Sequence, residues 1–161
     1  MGSGNHTPSS NNRETFLGAV AEPCSGDGAM VEVLRDYGYE VIASDLREIG
    51  VVGAGGVNLF DLDHATNTVT NPPYTDFGNI VEHFVTITER KVACLLPLRF
   101  LGSKERRPFL ISNPPARVYV LPRRPVFHVG GRDGRKTVAS HDYGWFVWDR
   151  SHAGPTEMIT E

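Results

Sequence analysis

The chain has 161 residues, 40% of them hydrophobic and 22% charged, an ordinary balance for one globular domain that buries a core. No apolar run approaches the roughly 18 residues needed to span a bilayer, so no membrane-embedded role is expected. The net charge of −3 conceals an asymmetry: residues 1–89 hold 3 Lys+Arg against 13 Asp+Glu, and residues 90–161 hold 13 against 6. A basic half is the expected footprint of a polyanionic partner.

The opening "MGSGNHTPSSNNRE", residues 1–14, is polar and cannot bury apolar surface, so it is expected to be disordered. It lacks the basic-then-apolar pattern of a secretion signal. Cys24 and Cys94 are the only cysteines. Both points favour a reducing, cytoplasmic setting, with small buried thiols in preference to a disulfide. "FLGAVAEP" predicts a first strand. "AMVEVLRDYG" follows as a helix, with Met30, Val33, Leu34 and Tyr37 at i, i+3, i+4 and i+7. "YEVIASDL" predicts a second strand, "GGVNLF" a short third and "TNTVTN" a fourth. A helix is predicted from about Thr75, with Phe77, Ile80, Val81 and Phe84 on one face. The near-continuous apolar run "KVACLLPL" predicts a strand covered on both sides, and a short helical piece lies near "SKERRPFL". "ARVYVL" and "YGWFVW" predict an antiparallel pair, because no crossover helix fits between them. Trp145, Phe146 and Trp148 in the last strand are read as core. Residues 156–161 are left as a tail. The predicted class is α/β: a single domain over residues 15–155, with a mostly parallel sheet of seven strands, helices on both faces and an antiparallel C-terminal pair.

In open α/β sheets ligands bind beyond the carboxyl ends of the strands, and two residue groups fall there. In "AEPCSGDGAM", Glu22 and Pro23 end the first strand, Gly26 and Gly28 permit a tight turn, and a helix N-terminus follows. Position 31 is Val where a dinucleotide site would want a third glycine, and Glu22 would repel a pyrophosphate; it suits a cationic ligand instead. Asp45 ends the second strand, where a carboxylate can accept hydrogen bonds from both hydroxyls of a ribose. A ribose joined to a cationic amino-acid part describes S-adenosylmethionine.

The second group is "TNPPY". An exocyclic amino nitrogen is a poor nucleophile because its lone pair is delocalised into the ring. Two acceptors, the side-chain oxygen of Asn71 and the carbonyl of Pro72, would pull it toward tetrahedral geometry. Pro72 and Pro73 hold those acceptors rigid, and Tyr74 offers a face on which an extruded base can stack. The second copy, "NPPA" at residues 113–116, precedes a strand and lacks the aromatic, so it is read as a turn. The six histidines show no ligand spacing and no metal is expected. Arg123, Arg124, Arg132, Arg135 and Lys136 lie in a glycine-containing loop at residues 122–142 and are the candidates for contact with nucleic-acid phosphates.

"AEPCSGDGAM", "VIASDL" and "TNPPY", in this order and spacing, resemble the motifs of class I S-adenosylmethionine-dependent methyltransferases of the amino-methylating kind. "PPARVYVLPRRPVF" and "YGWFVWDRSHAGP" are similar to small phage and prophage DNA adenine-N6 methyltransferases, and the resemblance covers roughly residues 17–155. It implies a Rossmann-like fold and S-adenosylmethionine as cofactor. Glu22 would face the methionine part, Asp45 the ribose, Leu46 the adenine ring, and Asn71 to Tyr74 the target base in DNA. RNA and protein-glutamine methyltransferases share the motif, and a non-catalytic cofactor-binding subunit is the competing class. The chain departs from the family in two places. Asn58 stands where an acidic residue usually approaches the cofactor's adenine, with Asp61 three residues on, and "HTPSS" is a shortened version of the segment that covers the cofactor. The second departure raises the expectation that a partner chain, or a second copy, completes the pocket.

Overall fold

The computed structural model describes residues 14–129 and 135–160; Arg132 and all but the last residue of the N-terminal polar segment lie outside the described residues. Strands β1 (Val20–Glu22), β2 (Val41–Ala43), β3 (Ala65–Thr70) and β4 (Thr88–Pro97) run parallel. Antiparallel to β4 lies β8 (Tyr143–Asp149), followed by β5 (Arg117–Val120) and the edge strand β9 (Glu157–Thr160), which gives the order β2-β1-β3-β4-β8-β5-β9. The sheet is α/β, seven-stranded and mostly parallel, with antiparallel C-terminal strands.

Period-two alternation builds two cores from one sheet. Val92, Cys94, Leu96, Phe146 and Trp148 face helix α2 (Phe77–Ile87), which buries Phe77, Ile80, Val81, Phe84 and Val85 against them. Ala93 and Val147 point the other way and pack with Val20, Val69 and Leu34 of helix α1 (Ala29–Asp36). The core reading of Phe146 and Trp148 therefore holds, whereas Trp145 is half-buried on the opposite face. Of the predicted stripe of α1, Leu34 is buried and Met30 packs partly buried beside it, whereas Val33 is 53% exposed and Tyr37 lies past the last helical residue; Val31 takes their place.

Three segments depart from the sequence reading. "GGVNLF" forms no strand; Asn58 caps a 3-10 turn (Leu59–Asp61) by accepting a hydrogen bond from the Phe60 N–H at 3.1 Å. The preceding glycine-rich loop leans on the end of β2 instead, through Ala54 N–H to the Ala43 carbonyl and Asp45 N–H to the Ala54 carbonyl, both 3.0 Å. Gly53 permits this approach: its φ is +98°, and a Cβ there would lie 2.1 Å from the Ala43 oxygen. Gly53→Ala is therefore expected to destabilise the protein by about 2–4 kcal/mol, read as a lower midpoint in urea unfolding. The tail instead supplies β9, paired in parallel with β5, so the seventh strand comes from the C-terminus. Residues 122–142, read as an irregular loop, contain strands β6 (Val126–Val129) and β7 (Arg135–Val138), which pair antiparallel.

Glu14, the last residue of the polar N-terminal segment, is held on the sheet. Its carboxylate meets Arg117 Nε, Lys91 Nζ at 2.7 Å and the Tyr119 hydroxyl at 2.9 Å, while Arg117 also donates to Asp149 at 2.7 Å. Burial opposes ionisation of Asp149, yet its hydrogen bonds from Ser151 and Arg117 hold it well below the usual carboxylate range.

Candidate active site

The chain passes from β1 to β2 on one side and returns to β3 on the other, so β1 sits at the point where strand order reverses. Beyond the carboxyl ends of these strands lies a cleft of about 480 Å³, lined by residues including Pro23, Gly26, Asp45, Leu46, Asn58, Asn71 and Pro73. The location follows from topology, since a crevice opens where neighbouring connections diverge. Seven of the predicted site residues therefore share one cavity. Cys24 belongs to the same wall, and its thiol is pushed up to about 12 by burial.

Glu22 and Gly28 lie behind this wall. Glu22 is 1% exposed; its Oε1 accepts from the Thr70 hydroxyl at 3.1 Å, and its Oε2 is buried with no hydrogen-bond partner. Burial raises its carboxyl to about 8, against the Thr70 and Cys24 hydrogen bonds, with Asp45 adding to the rise. A Cβ on Gly28 would lie 2.4 Å from Val52 Cγ2, and its φ of +86° starts α1; it shapes the turn without lining the cleft. Asp45 Oδ2 accepts from Gly26 N–H at 2.8 Å, and Oδ1 from the Arg47 N–H at 2.9 Å and Arg47 Nε at 3.1 Å. Burial works against its ionisation, but the hydrogen bonds from Arg47 and Gly26 win and hold it below the usual range. Leu46 is 68% exposed at the rim.

Asn71 follows β3 directly, with Pro72 buried beneath and Pro73 in the cleft wall. Tyr74 is not a free platform. Its hydroxyl donates to Asn71 Oδ1 at 2.9 Å, and its ring meets Phe127 and Tyr143 edge-on, each at 5.7 Å between centroids. Its phenol is raised by burial and then by the neighbouring Tyr143 hydroxyl.

Arg123, Arg124, Arg135 and Lys136 are exposed on and beside the hairpin. Arg124 is tied to Asp142 at 2.9 Å, an ion pair at the hairpin's base. Much of the basic half is consumed inside the fold. Lys91 and Arg117 bind Glu14 and Asp149, Arg150 caps the Val85 and Thr88 carbonyls, and Arg106 lies between the Phe77 and Phe100 rings at 5.0 and 4.9 Å. The hairpin is thus a smaller cationic surface than the charge count suggests.

Sequence reasoning missed Arg47, Phe60 and the residues that support Phe60. Phe60 lines the cleft, its ring 5.3 Å from that of His83, whose Nε2 lies 3.0 Å from the Leu59 carbonyl. The position of His83 on α2, one turn after Ile80 and next to Phe84, carries no signal for that contact. Among the described residues no three His, Cys, Asp or Glu side chains cluster as a metal site, and no helix is long and apolar enough to cross a membrane.

No family model matches the sequence, and no curated protein matches it. Solved structures do resemble the fold. A candidate hemolysin from Lactococcus lactis superposes with a TM-score of 0.59 at 11% identity, covering 91% of this chain and 84% of that one. Magnesium protoporphyrin IX methyltransferase from Synechocystis PCC 6803, with bound SAM, gives 0.53 at 14% identity over 84% of this chain and 71% of that one. A SAM-dependent O-methyltransferase from Thermotoga maritima gives 0.54 at 18% identity over 87% and 62%. The chain therefore shares the fold found in class I methyltransferases.

Proposed function

We propose that the protein transfers a methyl group from S-adenosylmethionine to the N6 amino group of adenine in DNA. The observation that carries this reading is the placement of Asn71, with Pro73 beside it, in the same cavity wall as Asp45 and Leu46. An acceptor for an amino group and an acceptor for ribose hydroxyls thus face one space. Charge compensation would come from Glu22, whose Oε2 is buried without a hydrogen-bond partner behind the Pro23–Cys24 wall and whose carboxyl would give up its proton beside a cationic ligand. When bound, S-adenosylmethionine supplies an electrophilic sulfonium methyl. Asp45 would accept the ribose hydroxyls as Arg47 swings from it, Leu46 and Phe60 would flank the adenine, and Glu22 would compensate the cationic end. Asn71 Oδ1 and the Pro72 carbonyl would each accept one amino hydrogen of the target base. Neither is a general base, and the proton shed by the methylated nitrogen passes to solvent.

DNA is favoured over protein by the hairpin cations, which stand next to Tyr74 through Phe127. Phosphate contacts of this kind position a strand without reading its sequence. Arg135→Ala and Lys136→Ala are each expected to weaken DNA binding uniformly across sequences and to lower the slope of log affinity against log salt by about one. Anisotropy titrations at several salt concentrations measure this. An unchanged slope in the double variant removes the hairpin from the interface.

The direct test incubates the protein with methyl-labelled cofactor and unmodified DNA, RNA or protein, and digests each to its monomers. The expected product is labelled N6-methyldeoxyadenosine. Label confined to RNA or to glutamine reassigns the substrate, and no label in any arm overturns the proposal.

A further inference from the structure

Tyr74, Phe127 and Tyr143 form a closed triangle of edge-on rings: Tyr74 lies 5.7 Å from each of the others, which are 5.5 Å apart. Each ring comes from a different part of the molecule. Tyr74 belongs to the turn after β3. Tyr143 is buried at the start of β8, paired with Pro97 of the central strand β4. Phe127 belongs to β6, in a two-stranded sheet separate from the main one. Through Phe127 the hairpin touches both Tyr74 and Tyr143, and Phe127 also packs against the small cluster of Leu95, Ala139 and Tyr143. The Tyr74 hydroxyl in turn occupies Asn71 Oδ1.

Building on the methyltransferase reading above, we infer that Phe127 and Tyr143 are positioning residues: they hold Tyr74 with its hydroxyl on Asn71, so that a shift of the cationic hairpin is felt at the reactive amide. The pairing Phe127↔Thr137 and Val129↔Arg135 puts Arg135 and Thr137 on the hairpin face that carries Phe127, whereas Lys136 pairs with His128 on the other. A strand held by Arg135 at the edge of that face would shift the hairpin, and any shift of Phe127 releases one side of the Tyr74 ring. Release frees Asn71 Oδ1 for the amino hydrogen of the target and the ring face for its base. Without substrate, the same contacts keep the acceptor satisfied and the ring, 36% exposed, partly covered.

The coupling is testable without turnover. The side-chain amide signals of Asn71, identified in a ¹⁵N spectrum by their loss in Asn71→Ala, are expected to move in Tyr74→Phe, which removes the hydroxyl and keeps the ring. They are expected to move in the same direction in Phe127→Leu and to stay near the wild-type position in Phe127→Tyr. In the assay, Phe127→Leu releases Tyr74 before substrate arrives and is expected to raise kcat about threefold with the cofactor KM unchanged, and Phe127→Tyr to return it to the wild-type value. Asn71 signals in Phe127→Leu that superimpose on the wild type overturn the coupling whether or not the protein is an enzyme. Amide signals that move as expected in a wild-type protein inactive on every substrate would instead uphold the coupling and overturn the proposed activity. Tyr74→Phe keeps the ring packing, so its result stands if Phe127→Leu fails to fold.

Discussion

Asn71→Ala is expected to reduce methyl transfer by about 100- to 1,000-fold while leaving cofactor affinity within about threefold of the wild type. The size follows from what the side chain does. An arylamine attacks a sulfonium methyl only when its lone pair is withdrawn from the ring, which requires acceptors on both amino hydrogens. Removing Oδ1 leaves one hydrogen without a partner in a partly desolvated site, at a cost concentrated in the transition state. The Tyr74 hydroxyl already occupies Oδ1 at 2.9 Å, so substrate exchanges one hydrogen bond for another and the binding step gains little from Asn71. The loss is therefore expected in kcat and not in KM. Asn71→Asp keeps an acceptor oxygen and is expected to recover part of the rate. Single-turnover assays with labelled cofactor measure both variants, and an alanine variant that retains more than about a tenth of wild-type turnover removes Asn71 from the chemistry.

The site was far more legible in the sequence than the sheet edges were. Gly26, Asp45, Asn71 and Pro73 are each encoded locally, by a turn that needs glycine, a strand that ends on an acid, or a proline that stops a strand, and topology then brings those ends together. The missing third strand shows where local reasoning fails. "GGVNLF" has the apolar spacing of a strand, but Asn58 uses its side chain to cap a turn, and Gly53 allows a backbone approach that no apolar pattern announces. "EMIT" at residues 157–160 was too short and polar at its ends to read as a strand, and its pairing with β5 is non-local. The hairpin strands have a local signature: "VFHV" and "RKTV" are short β-prone runs separated by a glycine-containing sequence, but they lie inside residues 122–142, whose arginines and glycines read as one loop. Arg47 and Phe60 lie on loops whose course depends on the Asp45 and His83 contacts, so neither carried a sequence signal.

Glu22→Gln is expected to stabilise the protein at alkaline pH while weakening cofactor binding, two effects of opposite sign from one substitution. The Glu22 carboxyl is raised from an ordinary value of 4.5 to about 8, first by burial. The native state therefore holds its proton more tightly than the unfolded chain. Its contribution to stability is fully present below about 4.5 and is lost progressively as pH rises toward about 8. The loss is on the order of 2–4 kcal/mol between pH 5 and pH 8.5. Glutamine has no proton to lose, so the variant's unfolding midpoint is expected to vary less over that range and to exceed the wild type at pH 8.5. Cofactor binding should reverse the preference. A cationic ligand near Oε2 favours the carboxylate, so wild-type affinity is expected to rise toward pH 8, by at most about tenfold per unit, with proton release on binding near pH 7. Calorimetry in two buffers of different ionisation enthalpy counts that proton. Glu22→Gln is expected to release none and to bind at least about tenfold more weakly at pH 8. Equal proton release by wild type and variant would place the cationic end of the ligand away from Glu22, leaving its buried oxygen a structural feature of β1.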